Sequence, residues 1–296
     1  MQVYITGARG FVGTRLVGHL EGLGHLVTAA DRDVDIRDAE RLTASLEAAQ
    51  PDAVVHLAAQ SSVAASFRDP AGSYAINFQG GLNVLRAIEH VAPTARLLLV
   101  GSGDQYGGQT PGAPSLSETA PQVPSSPYAR SKQAVERLGL EANKRGANVV
   151  ATRSFNHTGP GQDDRFVAPS FARQAAEIAA GARAPRMTVG NLESVRDFLH
   201  VDDVIDAYTA LLDPSVPRGV YNVASGVPHT IQELLDGLLA HAGVSPEVTV
   251  DPDLVRPTDQ LLGDAKKLRD ATGWLPERGF SGMVAALAAD WSERVR

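Results

Sequence analysis

Tyr128 and Lys132 have the residue types and the spacing for acid–base chemistry. They are four residues apart in a segment with a helical pattern, which places them on one face of a helix. A free phenol has a pKa of about 10, and a neighbouring cation lowers that value towards the neutral range. The pair could therefore act as a general acid or base. Their position supports this interpretation, because they begin the helix that follows the predicted strand 96–100.

A serine lies where that apolar run ends. Ser102 follows the predicted strand 96–100 within Gly101-Ser102-Gly103-Asp104. Open α/β sheets bind their ligands at the carboxyl ends of the strands. This position puts the Ser102 hydroxyl at a ligand-binding edge of the predicted sheet.

A glycine-rich turn near the N-terminus predicts a dinucleotide site. Gly7, Gly10 and Gly13 join a predicted strand to a predicted helix. The first glycine permits the tight turn, the second lets a pyrophosphate approach the backbone, and the third lets helix and strand pack closely. The helix N-terminus adds free N–H groups and the positive end of the helix dipole. Because no Gly-Lys-Ser/Thr follows, the turn is not a P-loop.

The end of the second predicted strand affects which dinucleotide is expected. Asp31 directly follows this strand, and its carboxylate could accept a hydrogen bond from the adenosine ribose 2′-hydroxyl, which favours NADH. The adjacent Arg32 could instead hold the 2′-phosphate of NADPH. Both cofactors stay open at this point.

Strand-like and helix-like segments alternate along the first half of the chain. The alternation predicts right-handed βαβ crossovers and an α/β fold with a doubly wound parallel sheet. The proline-rich segment 106–127 is expected to be a long loop inside this domain, because the alternation resumes beyond it. The predicted strands are 3–6, 26–30, 53–59, 96–100, 148–153, 186–190 and 220–224, and the predicted helices are 11–23, 39–49, 73–91, 128–145, 169–181, 201–212 and 231–242.

The composition excludes several classes of function. The net charge is −7 and no basic run is present, so the chain lacks the electrostatic surface of a nucleic-acid-binding protein. The absence of cysteine excludes disulfides, thiol nucleophiles and thiolate metal sites, and it fits a reducing compartment. None of the eight histidines has metal-ligand spacing, so we predict no metal and interpret His56 and His200 as structural. No apolar run approaches the ~20 residues that span a bilayer, and no leader segment is visible, so we expect a soluble cytoplasmic protein.

Taken together, the glycine turn, Ser102 and the Tyr128–Lys132 pair resemble the extended short-chain dehydrogenase/reductase family of nucleotide-sugar enzymes. The segments 56–59, 75–78 and 196–203 add to the resemblance. It implies a Rossmann sheet that binds NAD(P), formed by residues 1–160 with 192–225. It also implies a smaller, mainly C-terminal domain for the nucleotide sugar, formed by 161–191 with 226–296. A homodimer through the helices 77–91 and 128–145 is implied as well.

Within the family, the chain is most similar to the GDP-mannose 4,6-dehydratase branch. The similarity is closer still to its reductases, which convert GDP-4-keto-6-deoxy-D-mannose to GDP-D-rhamnose. It is carried by segments 154–162, 190–198, 256–258 and 272–276. The resemblance implies NADH or NADPH as cofactor, a GDP-sugar as substrate and Tyr128 as the general acid that protonates the oxygen at C4. The residues do not distinguish rhamno from talo products.

Gly103 and Asp104, the two residues that follow Ser102, favour reduction over loss of water. Dehydratases of the family carry an acid and a base here, as Asp-Glu or Ser-Glu, whereas this chain has Gly103 and Asp104. Gly103 has no side-chain proton, and the carboxylate of Asp104 would lie about 1 Å further back than that of Glu, a misplacement that can cost ~10²-fold in rate. A GDP-mannose 4,6-dehydratase, a nucleotide-sugar 4-epimerase and a non-catalytic NAD(P)-binding protein are the alternatives.

The resemblance assigns residues to three groups. The catalytic group is Ser102, Tyr128, Lys132 and Asp104. The predicted cofactor contacts are Gly7, Arg9, Gly10, Phe11, Val12, Gly13, Asp31, Arg32, Leu57, Ala58, Ala59, Asn77, Tyr128, Lys132, Phe155 and His157. The predicted substrate contacts are Ser61, Asp104, Asn156, Phe166, Val167, Arg173, Asn191, Arg196 and Arg256.

Overall fold

Six parallel strands form the central sheet of the protein, in the order β2-β1-β3-β4-β5-β9. The computed structural model describes residues 1–251 and 258–296. The chain leaves β1 for β2 on one side and continues with β3 on the other, so the switch point lies at the carboxyl ends of β1 and β3. The strands of the sheet are β1 (Gln2–Thr6), β2 (Leu26–Ala30), β3 (Ala53–His56), β4 (Arg96–Ser102), β5 (Asn148–Ser154) and β9 (Gly219–Val223).

Helices cover both faces of this sheet because each central strand is apolar on both sides. In β4, Leu98 belongs to one buried core and Leu97 and Leu99 to the other, as the two-residue repeat of a strand requires. One face packs against α1 (Phe11–Gly22), α8 (Val201–Leu211) and α10 (Lys266–Thr272). The other face packs against α2 (Ala39–Ala49), α5 (Gly80–Val91) and α6 (Pro127–Lys144). The predicted doubly wound α/β fold is confirmed.

A third apolar core lies apart from the central sheet. It is formed by three helices, α7 (Val167–Ala179), α9 (Ile231–Ala242) and α11 (Phe280–Val295), which pack on one another. Shorter strands adjoin them: β8 (Val195–His200) pairs with β6 (Asn156–Thr158), β10 (Pro228–Thr230) and β12 (Gln260–Leu261), and β7 (Arg186–Val189) pairs with β11 (Glu247–Val250). Within the described ranges, no helix is long and apolar enough to cross a membrane.

The predicted helix 73–91 differs from the structure. It consists of α4 (Pro70–Tyr74), a π-helical turn (Ala75–Gln79) and α5, and the short α3 (Val63–Arg68) precedes it. The π turn contains Asn77, whose buried amide bonds to Ser131 and Gln60. A local widening of a helix is common at functional sites, and here it turns Asn77 towards α6.

Candidate active site

Ser102 and Tyr128 are brought together by the end of β4 and the beginning of α6. Helix α6 starts with Ser126, whose side chain accepts the N–H of Ala129 at 3.1 Å, and Pro127 occupies the first helical position. This start places Tyr128 in the first turn. There its phenol lies near the Ser102 hydroxyl, which lowers the pKa of the phenol. The structure therefore places two of the predicted catalytic residues close together.

Burial keeps the Tyr128 phenol protonated. Burial is the largest influence and raises the pKa of Tyr128 above its ordinary value of 10, and the nearby Asp104 carboxylate raises it further. The Ser102 hydroxyl lowers the pKa, but by less than burial raises it. The expected lowering of this pKa by Lys132 is not seen in this structure, because burial outweighs the other influences. Tyr128 is thus a neutral proton donor at physiological pH.

Lys132 is buried one turn further along the same helix face. Its Nζ donates to the carbonyl oxygen of Val100 at 2.8 Å, so the side chain reaches back to β4. Burial lowers the pKa of Lys132 to about 8. The ammonium group is therefore present at neutral pH and is lost under mildly alkaline conditions.

Asp104 lies beside Tyr128 in a charged environment. Burial raises the pKa of its carboxyl, whereas the guanidinium of Arg196 and the Ser102 hydroxyl lower it. Arg196 itself forms an ion pair with Asp259, with 2.8 Å between Nη2 and Oδ1. Asp104, a predicted catalytic residue, and Arg196, a predicted substrate contact, thus lie together at the carboxyl end of β4.

Gly103 is closely packed against an aromatic ring. A Cβ atom at this position would lie 3.2 Å from Cγ and Cδ1 of Phe155. The Phe155 side chain is 2% exposed and packs near Tyr106, with the ring centroids 6.1 Å apart. Phe155, predicted as a cofactor contact, therefore fills the space beneath Gly103, and this packing role was not predicted.

The glycine-rich turn has the shape that a dinucleotide needs. A Cβ at Gly7 would lie 2.7 Å from the backbone nitrogen of Ala58, and one at Gly13 would lie 2.2 Å from the carbonyl oxygen of Gly7. Gly7 also has a positive φ of 70°. Helix α1 starts at Gly10 without a side-chain cap, so no side chain competes for the N–H groups of its first turn. These residues fit the diphosphate of an NAD(P) cofactor.

Asp31 lies beside this turn, at the end of β2. Its carboxylate accepts the backbone N–H of Arg9 at 2.9 Å and that of Arg32 at 2.8 Å. The Arg9 guanidinium lies 3.7 Å from Asp33, and the Arg32 side chain is exposed. The two predicted determinants of the adenosine ribose site are therefore adjacent, and each is accessible.

Other predicted cofactor contacts lie around the same turn. Leu57 and Ala58 adjoin Thr6, whose Oγ1 accepts the N–H of Ala58 at 3.3 Å. The rings of Phe11 and His157 are stacked with their centroids 6.5 Å apart, and burial lowers the pKa of His157, which leaves it neutral. The remaining members, Val12 and Ala59, are partly buried at the same edge.

Asn77, another predicted cofactor contact, is bonded within the protein. Its side chain is 2% exposed, and both hydrogens of its amide are used within the protein, at 2.9 Å to Ser131 Oγ and 3.0 Å to the Gln60 carbonyl. Its Oδ1 accepts the N–H of Gln60 at 2.8 Å. Asn77 therefore holds the loop after β3 against α6, and its role as a cofactor contact stays a prediction.

The predicted substrate contacts differ from one another in their exposure and in the partners they already have. Asn156 and Ser61 are exposed, Phe166 is half-buried and Val167 is exposed at the start of α7. Arg173 is paired with Asp164 at 2.8 Å and with Glu177, so its charge is already compensated by carboxylates. Asn191 donates to Thr258 Oγ1 at 2.8 Å. Arg256 lies outside the described residues.

Sequence reasoning missed a buried group of polar side chains behind the site. Gln105 follows Asp104 and is fully buried, and it contacts the buried ion pair of Glu136 and Arg153. One signal was available: Glu136 follows Lys132 by four residues, so it lies on the helix face that carries Tyr128 and Lys132.

Comparisons with known proteins agree with this geometry. The chain is 39% identical to the GDP-6-deoxy-D-mannose reductase of Pseudomonas aeruginosa over 301 residues, which covers 100% of this chain and 98% of the relative. A solved structure of RMD from Pseudomonas aeruginosa complexed with NADPH superposes with a TM-score of 0.88 at 37% identity, covering 99% of this chain and 100% of that one. The Thermus thermophilus UDP-glucose 4-epimerase complexed with NAD gives a TM-score of 0.87 at 30% identity, covering 98% and 99% of the two chains.

The family model described as GDP-mannose 4,6 dehydratase matches residues 30–287, which is most of the sequence. The match includes Ser102, Tyr128 and Lys132, and the glycine turn precedes it. The predicted resemblance is confirmed, and the chain belongs to the GDP-mannose 4,6-dehydratase family.

Proposed function

We propose that this protein is an NAD(P)H-dependent reductase that converts the C4 keto group of GDP-4-keto-6-deoxy-D-mannose to the hydroxyl of GDP-D-rhamnose. The observation that carries the proposal is the protonated Tyr128 phenol near the Ser102 hydroxyl, beside a residue that has no side chain. Reduction needs a proton donor at the carbonyl oxygen and no second acid–base pair. The GDP-6-deoxy-D-mannose reductase of Pseudomonas aeruginosa, a full-length relative, supports the choice of substrate.

The packing of Gly103 argues against loss of water as the main reaction. A serine or aspartate at this position would bring its Cβ to 3.2 Å from the Phe155 ring, which is tighter than ordinary van der Waals contact. The ring is held between Gly103 and Gly263, where a Cβ would lie 2.6 Å from Cε2. The site is therefore shaped for a glycine, and the acid that a dehydratase carries here has no room without repacking.

The glycine turn and the residues around it would hold the cofactor. The N–H groups at the start of α1 suit the diphosphate, and Asp31, Arg9 and Arg32 surround the position of the adenosine ribose. When bound, NADPH or NADH supplies the hydride that reduces the carbonyl carbon. Either cofactor fits, because a carboxylate and two arginines lie at the same strand end.

The side chains of the chain supply the proton and the orientation. Tyr128 donates its phenolic proton to the C4 oxygen, and the Ser102 hydroxyl hydrogen-bonds the same oxygen as negative charge develops on it. The ammonium of Lys132 lies one helical turn away and favours the phenolate that remains on Tyr128. Asp104 orients a hydroxyl of the sugar.

Arg196 is the cation best placed for the substrate diphosphate. It lies close enough to Asp104 to lower the pKa of that carboxyl, and its planar group suits phosphate oxygens. In this structure the Arg196 guanidinium forms an ion pair with Asp259, so the diphosphate would compete with that carboxylate. Asn156 is exposed on β6, which pairs with the strand of Arg196.

The proposals for two domains and for a homodimer rest on how the helices and sheets pack. The central sheet and its helices support a cofactor domain of residues 1–160 with 192–225, and the third core supports a substrate domain of 161–191 with 226–296. Within the latter range, however, α10 packs on the central sheet. A homodimer would form through α5 and α6, where Leu82, Leu138 and Leu140 are only partly buried. A cytoplasmic location stays a prediction.

A coupled assay tests the proposed reaction. An authentic 4,6-dehydratase converts GDP-mannose to the keto sugar, and this protein is then added with NADPH or NADH while the absorbance of the reduced nicotinamide is followed. We expect oxidation that requires both the keto sugar and this protein. Consumption of GDP-mannose by this protein alone would instead identify a dehydratase, and conversion of a nucleotide hexose without net oxidation would identify a 4-epimerase.

A further inference from the structure

A buried glutamine side chain joins the backbone of Ser102, at the end of β4, to the helix that carries Tyr128. Gln105 has no exposed surface, and its Oε1 accepts the backbone N–H of Ser102 at 2.9 Å. Its Nε2 donates to Oε2 of Glu136 at 2.7 Å. Glu136 lies on α6, one turn after Lys132 and two turns after Tyr128. The position of Ser102 is therefore coupled to α6 through one amide.

The carboxylate that receives this amide is itself fixed. Arg153 on β5 donates from Nε to Glu136 Oε2 at 2.9 Å and from Nη2 to Oε1 at 2.6 Å. Both side chains are buried, at 7% and 3% exposure. A bidentate pair of this kind sets the orientation of the carboxylate as well as its distance. Glu136 thus offers Gln105 an acceptor in one defined direction.

The absence of a side chain at Gly101 makes room for the Gln105 amide. A Cβ at Gly101 would lie 2.5 Å from Gln105 Oε1 and 2.3 Å from the Thr152 carbonyl oxygen. Glycine at position 101 therefore lets the amide cross the strand end. Gln105 also completes a capping box with Ser102, but a cap needs only the oxygen of the amide. The bond from Nε2 to Glu136 determines that this oxygen faces Ser102.

We propose that Gln105 is a positioning residue for the reduction, which fixes the Ser102 backbone so that the Ser102 hydroxyl meets both Tyr128 and the substrate oxygen. The proposal rests on the proposed function, because the oxygen in question is the C4 carbonyl oxygen. Gln105 acts through Ser102 and does not touch the substrate. Loss of the amide should therefore lower the rate of the chemical step and leave binding unchanged.

Gln122 provides a matched control. Its Nε2 donates to the other oxygen of Glu136 at 2.8 Å, and it makes no bond to Ser102. Gln105→Leu and Gln122→Leu each remove one amide donor from the same carboxylate, which keeps both bonds from Arg153. We expect Gln105→Leu to lower kcat by roughly 10- to 100-fold with KM for the keto sugar within about twofold of wild type, and Gln122→Leu to keep kcat within about threefold.

A double-mutant cycle with Ser102→Ala distinguishes a positioning role of Gln105 from a role in stability alone. The quantity measured is the further loss of kcat in the Ser102→Ala background. If Gln105 acts through the Ser102 hydroxyl, Gln105→Leu should cause little further loss of kcat once that hydroxyl is absent. Thermal melting and the dissociation constant for NADPH check that each variant is folded. Should Gln105→Leu fail to fold, Gln105→Met offers an unbranched side chain of similar length for the same cycle.

Two results would overturn the proposal. One is equal loss of kcat in Gln105→Leu and Gln122→Leu, which would assign both glutamines to stability alone. The other is a full, multiplicative loss in the Ser102→Ala background. A wild-type protein that does not reduce the keto sugar would refute the proposed function first, and that outcome is distinguished from either result because it concerns no variant.

Discussion

At the scale of single residues, burial determines which proton is available. The Tyr128 phenol is held protonated by the low polarity around it, and the Lys132 ammonium is pushed towards neutrality by the same cause. The two side chains have nearly equal pKa values when free, and burial drives these values apart, so that Tyr128 holds its proton far more firmly than Lys132. A reductase benefits from this, because the tyrosine must start each turnover with a proton to give.

Replacement of Tyr128 by Phe removes that proton and leaves the ring. We expect Tyr128→Phe to lose kcat by on the order of 10²- to 10⁴-fold, the range that general acid catalysis contributes. NADPH affinity, measured by quenching of its fluorescence, should stay close to wild type. Turnover near the wild-type rate would remove Tyr128 from the mechanism.

The pH dependence should follow Lys132. Burial lowers the pKa of Lys132 to about 8, so its charge is present below that pH and is lost as the pH rises through it. If the reaction needs the charge, kcat/KM falls above about pH 8. The profile of Lys132→Arg, whose guanidinium stays charged, should lose this alkaline decline while keeping residual activity. The same decline in both proteins would assign it to another group.

At the scale of elements, the contact between α1 and β1 determines whether the turn can bind phosphate. A Cβ at Gly13 would lie 2.2 Å from the Gly7 carbonyl oxygen, so the helix would have to move away from the strand. Gly18 lies in the same helix, and a Cβ there meets no atom within 4 Å. The two glycines therefore separate the effect of packing from the effect of helix propensity.

We expect Gly13→Ala to weaken NADPH binding by roughly 5- to 150-fold if an overpacking cost of ~1–3 kcal/mol is expressed in binding. Gly18→Ala should keep the affinity and raise stability by up to ~1 kcal/mol, because alanine is the better helix former. Isothermal titration and thermal melting measure the two quantities. Equal affinities for the two variants would contradict the assigned role of the turn.

Much of the element order could be predicted from the sequence, and two of the exceptions, β8 and the π turn, depend on contacts between distant residues. Helices α2 and α9 keep their predicted bounds, and each starts after a residue that caps it, Asp38 and Thr230. Strand β8 was missed because its partners are three short strands distant in the chain. The π turn at Asn77 depends on bonds to Ser131 and Gln60, which periodicity does not reveal.

The distinction between local patterns and contacts of distant residues applies to the site as well. The glycine turn and the Tyr128–Lys132 pair are local patterns, so the sequence predicts them directly. The Gln105–Glu136–Arg153 group draws its members from three separate elements, and the pairing of Arg196 with Asp259 joins residues 63 positions apart. Only the folded arrangement brings such residues together.

At the scale of the whole molecule, the site combines side chains from the central sheet and its helices with one from a strand beside the third core. Tyr128 and Ser102 belong to the central sheet and its helix, and Arg196 comes from β8, which runs towards the third core. The proposed dimer would place α6, which carries Tyr128 and Lys132, at the subunit contact. Association would therefore stiffen the helix on which the chemistry depends.

Light scattering coupled to gel filtration measures the assembly. At micromolar concentration we expect twice the 31.2 kDa mass of the chain. Glu141→Arg, on the exposed side of α6, tests whether charge on that helix affects association. A mass of one chain for the wild type would remove the dimer from the account.

Isotope labelling follows the hydride of the proposed reduction from the cofactor to the sugar. NADPH dideuterated at C4 of the nicotinamide is supplied with enzymatically generated GDP-4-keto-6-deoxy-D-mannose, and the product is analysed by mass spectrometry and NMR. We expect a GDP-6-deoxyhexose with one deuterium at C4, formed by the wild type and nearly absent with Tyr128→Phe. An unlabelled product, or water loss from GDP-mannose without NADPH, would contradict the proposed reduction.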